Sequence, residues 1–193
     1  IAATADLTFD HQDQSNPDFI EIADNVIVTN NGSVTINRNI FGTNSGSTWI
    51  NSDGSSLTIG GTILSTGVLD ASASGNTMTY NGSDAQTVKD PVSSEYYNLS
   101  IAGSNIKSLE AATVISNDLS ISSTLDVAGN DFSIAGNWTN NGVFDQETQT
   151  VTFNGSADQS ISGITGQSFY NLTVSKGGGT LTLSQEVTVS NQL

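Results

Sequence analysis

Apolar and polar residues alternate along this chain in very short runs, and no stretch carries a helical period. The recurring unit is an apolar–polar–apolar triplet. It occurs at Leu57-Thr58-Ile59, Leu99-Ser100-Ile101, Leu119-Ser120-Ile121, Leu125-Asp126-Val127, Phe132-Ser133-Ile134, Val151-Thr152-Phe153, Leu172-Thr173-Val174, Leu181-Thr182-Leu183 and Val187-Thr188-Val189. Alternation over three residues describes a short strand with two side chains turned inward and one outward. Gly, Asn, Asp and Ser separate the triplets, and these residues tolerate the backbone of tight turns. Triplets often begin six or seven residues apart, as at Leu119, Leu125 and Phe132. Strands of a sandwich recur at a wider spacing, about 8–12 residues. The closer spacing predicts a solenoid whose coil, three short strands and three corners, takes about 20 residues.

An internal repeat supports the same reading. Thr77-Met78-Thr79-Tyr80-Asn81-Gly82-Ser83 matches Thr150-Val151-Thr152-Phe153-Asn154-Gly155-Ser156 at an offset of 73. That offset also carries Gln86 onto Gln159, and Tyr97-Asn98-Leu99-Ser100-Ile101 onto Tyr170-Asn171-Leu172-Thr173-Val174. Leu57-Thr58-Ile59-Gly60-Gly61 falls on Phe132-Ser133-Ile134-Ala135-Gly136, and Gly67 to Asp70 on Gly142 to Asp145, both at 75. Ile115 to Leu119 meets Val189 to Leu193 at 74. Two units therefore follow one another, residues 45–119 and 120–193, read as one continuous solenoid. Residues 1–44 form an acidic N-terminal segment expected to hold the first coils or a cap. The coil pattern is expected to begin near Val26, because Thr29-Asn30-Asn31-Gly32 is similar to Thr139-Asn140-Asn141-Gly142.

The expected fold is all-β, a right-handed parallel β-solenoid (β-helix) of three-residue strands. Each inward column becomes a ladder of Val, Ile, Leu and Phe, and low charge density is expected inside the ladders because stacked like charges repel. The alternative is a tandem of two β-sandwich domains. It calls for a hydrophobic break near residues 119–125, yet the triplets run through that region.

Composition removes several functional classes. The chain has 193 residues, 19 acids against 4 basic residues, and a formal net charge of −15. Nucleic-acid binding needs clustered cations to displace counterions, and Arg38, Lys89, Lys107 and Lys176 are too scattered to supply them. Cysteine is absent, which excludes disulfides, thiolate metal sites and cysteine nucleophiles. The apolar runs are far too short for a membrane span. The chain starts at Ile1 with neither a basic nor an apolar leader region, and the triplet pattern runs to its last residues. A processed chain or a piece of a longer one is expected.

Catalysis is weighed against this background. Glycoside hydrolases need two carboxylates about 5–9.5 Å apart. In such a solenoid Asp118, Asp126, Asp131 and Asp145 could in principle lie on neighbouring coils, but acids in such repeats are mostly solvated corner residues, and Asp145 has a counterpart in Asp70. The lone His11 lies outside the repeats, so they hold no Ser-His-Asp triad. No enzymatic activity is expected. Asp13, Asp18, Glu21 and Asp24 are hard oxygen ligands and hence calcium candidates. Their spacing fits neither an EF-hand nor a calcium β-roll, and a solvated acidic segment is the favoured reading. Trp49 and Trp138 are either sugar-stacking platforms or core side chains, the latter being favoured. The Asn-x-Ser/Thr sequons at Asn31, Asn81, Asn98, Asn137, Asn154 and Asn171 follow from composition and are not read as glycosylation sites. Thr-x-Thr pairs such as Thr77/Thr79 raise an ice-binding alternative, which needs them in consecutive coils; in the sequence they look scattered.

The stretch Gly136-Asn137-Trp138-Thr139-Asn140-Asn141-Gly142-Val143-Phe144, with Thr150 to Ser156, Gln159 to Gly163 and Phe169 to Val174, resembles a known repeat type. It is similar to the β-solenoid repeats of large secreted surface proteins of Bacteroidetes-type bacteria, including gliding adhesins. The likeness spans residues 45–193. It implies export to the cell surface or medium, often by a type IX system that reads a C-terminal signal, and no such signal is visible here. It also implies a stalk or adhesive role, with further repeats of the same parent chain, surface polysaccharide or another surface protein as partners. It supplies no catalytic residue. The alternative function is a carbohydrate-binding or carbohydrate-processing β-helix.

Overall fold

The structure is a computed structural model that describes residues 6–9, 19–164 and 166–191. Almost every described element is a strand, and every strand pairing is parallel. Among the described residues the single helical turn is Val92–Ser94, at a corner. The chain is a parallel β-solenoid. A tandem of sandwiches would require antiparallel hairpins and is not favoured.

Three faces recur in each coil. The long face is one continuous nine-stranded sheet that begins with Asp6–Phe9, Ser33–Ile36, Ser56–Ile59 and Thr77–Tyr80. It continues through Asn98–Ile101, Leu119–Ile121, Trp138–Asn140, Gln159–Gly163 and Leu181–Leu183. The second face is broken into sheets of two, four and two strands, from Phe19–Ile22 to Val187–Val189. The third face runs from Ile27–Asn30 to Asn171–Val174 in sheets of three and five strands, bridged at Ala71 and Tyr96. The coils are unequal in length. Leu7 stacks on Val34 in the first and longest of them, whereas Leu119 stacks on Trp138 in one of the shortest. Strands Asp6–Phe9 and Phe19–Ile22 already stack on later coils, so coiling starts well before Val26, earlier than the sequence pattern indicates.

Alternation places the core. On the long face, Val34, Leu57, Met78, Leu99, Leu119, Trp138 and Ile161 form one inward column; Ile36, Ile59, Tyr80, Ile101 and Ile121 form the next. All are buried. Each buried side chain of this size contributes about 1.5–3 kcal/mol. No coil can shield both sides of its own core, so stability comes from stacking.

Corners are built by side chains that reach into the neighbouring coil. Gln86 Oε1 accepts the Gly82 N–H at 2.7 Å, while its amide donates to the carbonyls of Ile59 and Gly61 one coil back. Gln159 repeats this with Gly155, Ile134 and Gly136. Both corner glycines are required by close approach: a Cβ on Gly82 would sit 2.3 Å from the Gly60 carbonyl oxygen, and one on Gly155 2.0 Å from that of Ala135.

The two repeat copies do not stack on one another. Thr77–Tyr80 lies on the long face, whereas its counterpart Thr150–Phe153 lies on the third. Gln86–Val88 is on the second face and Gln159–Gly163 on the long one; Glu95–Tyr96 is on the third and Gln167–Phe169 on the second. The repeat therefore advances eleven strand positions on a three-sided coil. It moves along the axis by three coils and two faces, about 18 Å at ~4.8 Å per coil.

Candidate functional surface

The outward side of the long face is the most regular surface of the molecule. Thr35, Thr58, Thr79, Ser100, Ser120, Thr139 and Ser162 form one unbroken hydroxyl column through successive coils. Beside it run Ser33, Ser56 and Thr77, followed by Asn98, Asp118, Asn137 and Ser160. Hydroxyl pairs occupy consecutive coils at Ser33/Thr35, Ser56/Thr58 and Thr77/Thr79, whereas Thr150/Thr152 lies on the third face, so the Thr-x-Thr pairs themselves stay scattered. The second column then changes to amide and carboxylate at Asn98, Asp118 and Asn137, and a hydroxyl pair returns at Ser160/Ser162.

That second column is closed on itself. Asn98 Oδ1 accepts the Asp118 N–H at 3.2 Å and the Asn117 side-chain amide at 2.8 Å. Asp118 Oδ1 accepts the Asn137 N–H at 2.7 Å and its side-chain amide at 3.0 Å. Asn137 Oδ1 in turn accepts the Ser160 N–H and hydroxyl at 3.0 and 2.9 Å. Each side chain satisfies a corner donor of the next coil, a local pairing characteristic of Asn and Asp. Within these two columns, from Ser33 to Ser162, Asp118 carries the single charge. Lys89–Glu110 at 3.5 Å, away from this face, is the one ion pair between a lysine or arginine and a carboxylate among the described residues.

The four carboxylates weighed for hydrolysis do not share a cleft. Asp118 belongs to the amide ladder, and Asp131 Oδ1 accepts the Thr150 N–H at 2.7 Å. Asp131 also lines a hollow of about 260 Å³ on the third face with Ala112, Thr113, Val114, Phe132, Ser133 and Thr152, and no second carboxylate is there. Asp126 and Asp145 are register partners at an outward position of the second face, so two like charges stack there, outside the inward ladders. Asp126 accepts the Ser108 hydroxyl at 2.9 Å and the Ala128 N–H at 2.8 Å. Asp70 accepts the Ser72 N–H in the same kind of turn.

Neither tryptophan is available to a sugar. Trp49 and Trp138 are 3 % and 0 % exposed. Trp49 Nε1 donates to Asn51 Oδ1 and Trp138 Nε1 to Gln167 Oε1, both at 2.9 Å. Trp138 is the hub of an aromatic cluster with Phe132, Phe144, Phe153 and Phe169, at centroid distances from 4.8 to 6.5 Å. It fills the core where the coil widens, the step from Trp138 to Ile161 being longer than that from Leu119 to Trp138. Of the calcium candidates, Asp13 and Asp18 lie outside the described residues, as does His11. Glu21 and Asp24 are exposed, and among the described residues no three His, Asp or Glu side chains gather closely enough to hold a metal.

Sequence reasoning missed one buried polar pair. The Lys89 N–H donates to Tyr80 Oη at 3.0 Å, Tyr96 donates to the Lys89 carbonyl at 2.5 Å, and the two hydroxyls lie 2.8 Å apart. Burial pushes both phenols above the ordinary tyrosine range. Burial also lowers the Lys107 ammonium below the usual lysine range, opposed by the nearby Asp84 charge. No described helix is long and apolar enough to cross a membrane. No protein-family profile, curated protein or solved structure matches the chain.

Proposed function

We propose that this chain is a structural segment of an extracellular bacterial surface protein, a rigid stalk or adhesive spacer without catalytic activity. The observation that carries the reading is the eleven-strand step of the repeat. Duplication on a three-sided coil turns each copy's motif to a different side, so no repeated surface lines up along the axis. What the copies share is the machinery of stacking: inward apolar positions, the Asn-Gly-Ser corner and the Gln that locks it. The likeness of residues 45–193 to surface-protein repeats supports the location, and further repeats of the parent chain are the natural partners.

Small-angle scattering with a thermal melt, run with calcium and again with chelator, tests this. A rod at least ~40 Å long, from nine strands at ~4.8 Å spacing, with a melting point unmoved by chelator, is the expected result. A compact particle, or a large loss of stability on chelation, would overturn the spacer reading.

The hydroxyl column favours a second reading, adhesion of the long face to a neutral polysaccharide. Sedimentation with an insoluble neutral glucan is the check. Loss of binding in Thr58→Lys/Thr79→Lys would support that reading; failure of the unmodified chain to sediment would remove it.

A further inference from the structure

Two of the three lysines end in the same kind of place, and they reach it from different positions. Lys107 is fully buried on the second face, directly stacked on Gln86. Its Nζ donates to the carbonyls of Gly82 at 3.1 Å, Asp84 at 3.1 Å and Ser104 at 2.5 Å. Lys176 lies in the loop after Asn171–Val174, and its Nζ donates to the carbonyls of Gly155 at 3.2 Å and Ala157 at 2.8 Å and to Gln159 Oε1 at 2.6 Å. Gly82 and Gly155, and likewise Asp84 and Ala157, are counterparts at the repeat offset of 73. The lysines are not counterparts: the residue stacked on Gln159, where Lys107 stacks on Gln86, is Leu181. An ammonium has been supplied twice to one corner geometry by unrelated routes.

We infer that the carbonyl nest behind the Asn81-Gly82-Ser83 corner and that behind Asn154-Gly155-Ser156 are binding sites for a primary ammonium or a monovalent cation of similar size, and that Lys107 and Lys176 are their built-in occupants. The oxygens converge because the corner turns its peptide carbonyls to one side, and the Gln locked on the glycine N–H holds them there. The innermost carbonyls, those of Gly82 and Gly155, belong to buried residues and need donors. An ammonium provides three in a compact charge, which matches three oxygens. The ligands that contact Nζ are neutral carbonyl and amide oxygens in both nests. That donor set suits a monovalent cation, as rings of backbone carbonyls do elsewhere. A calcium ion calls for carboxylates. Lys176 is itself only partly buried, and it lines a cavity of about 570 Å³ with Leu172, Val174, Gly179, Leu181 and Leu183.

Emptying the nest tests this. Lys176→Ala, whose site is partly exposed, is the first variant, and Lys107→Ala the second. Each is melted at constant ionic strength in ammonium, methylammonium, potassium or tetramethylammonium chloride. Lys176→Ala is expected to melt lower than the unmodified chain in tetramethylammonium, which is too bulky to enter. At least half of the loss is expected to return in ammonium or methylammonium. The unmodified chain is expected to show no such preference. Lys176→Met keeps the apolar stem in place and is expected to gain nothing from the small cations. Equal melting of Lys176→Ala in all four salts would overturn the inference, as would the same salt preference in the unmodified chain or in Lys176→Met. Lys107→Ala is read the same way if it folds; its failure to fold leaves the Lys176 series to decide.

Discussion

Tyr80 and Tyr96 show how one residue position follows from its backbone surroundings. The strand Gln86–Val88 stops short, so the Lys89 N–H and carbonyl have no sheet partner and turn to the two phenols. In the second copy the counterpart strand Gln159–Gly163 runs on, Ser162 stacks on Thr139, and the tyrosines are replaced by Phe153 and Phe169. Both hydroxyls change together because a lone buried one would lack its partner. Tyr96→Phe is expected to cost about 1–3 kcal/mol. Tyr80→Phe/Tyr96→Phe together should cost less than the sum of the single changes, with a coupling of about 0.5–3 kcal/mol in denaturant titrations. Phe169→Tyr, which buries an unpaired hydroxyl, should destabilise by about 1–3 kcal/mol.

The same pair sets an alkaline limit. A phenol whose folded pKa is raised binds its proton more tightly in the native state. Its contribution is intact below the unfolded value near 10 and is lost as pH rises past it. Stability should therefore fall above about pH 10, by up to ~1.4 kcal/mol per pH unit for each buried tyrosine. The slope should shrink in Tyr80→Phe/Tyr96→Phe, as measured by urea melts between pH 9 and 11.

Among the strands and corners, the informative contrast is between two acids in stacked positions. Asp118 sits between Asn98 and Asn137 and receives two donors, so its charge is useful where it is. Asp118→Ala should cost about 1–3 kcal/mol by orphaning the corner donors, whereas Asp118→Asn should retain most of the stability. Asp145 stacks on Asp126 with the same sign. Removing that repulsion in Asp145→Asn should raise stability by about 0.2–1 kcal/mol, an effect that fades with added salt. Thermal melts of the three variants at low and moderate ionic strength check both statements.

At the scale of the whole molecule, the net charge of −15 is set against a single lysine–carboxylate ion pair among the described residues. Self-repulsion therefore weakens the folded state and is screened by salt. Raising sodium chloride from about 10 to about 150 mM is expected to raise the melting temperature by several degrees; at those concentrations the Debye length falls from ~30 to ~8 Å. No change on adding salt would mean that the corner acids lie far enough apart to ignore one another.

How much was legible in the chain follows from these cases. The triplets, their spacing and the internal repeat determined a parallel solenoid of short coils, because period-two alternation over three residues leaves only stacking to bury its apolar side. The structural role favoured for Trp138 was that of a large side chain filling a wide coil, and the strand Trp138–Asn140 turns it inward. The sequence did not determine which positions stack. A corner one or two residues longer changes the register, and a repeat of eleven strands on a three-sided coil carries counterparts such as Tyr80 and Phe153 onto different faces. Only the tertiary structure therefore decided that hydroxyls looking scattered in the sequence form one column. It also brought Lys107 and Lys176, which the repeat offset does not relate, to equivalent nests of carbonyls. Local alternation is encoded residue by residue, whereas neighbours across coils depend on the summed length of every corner between them.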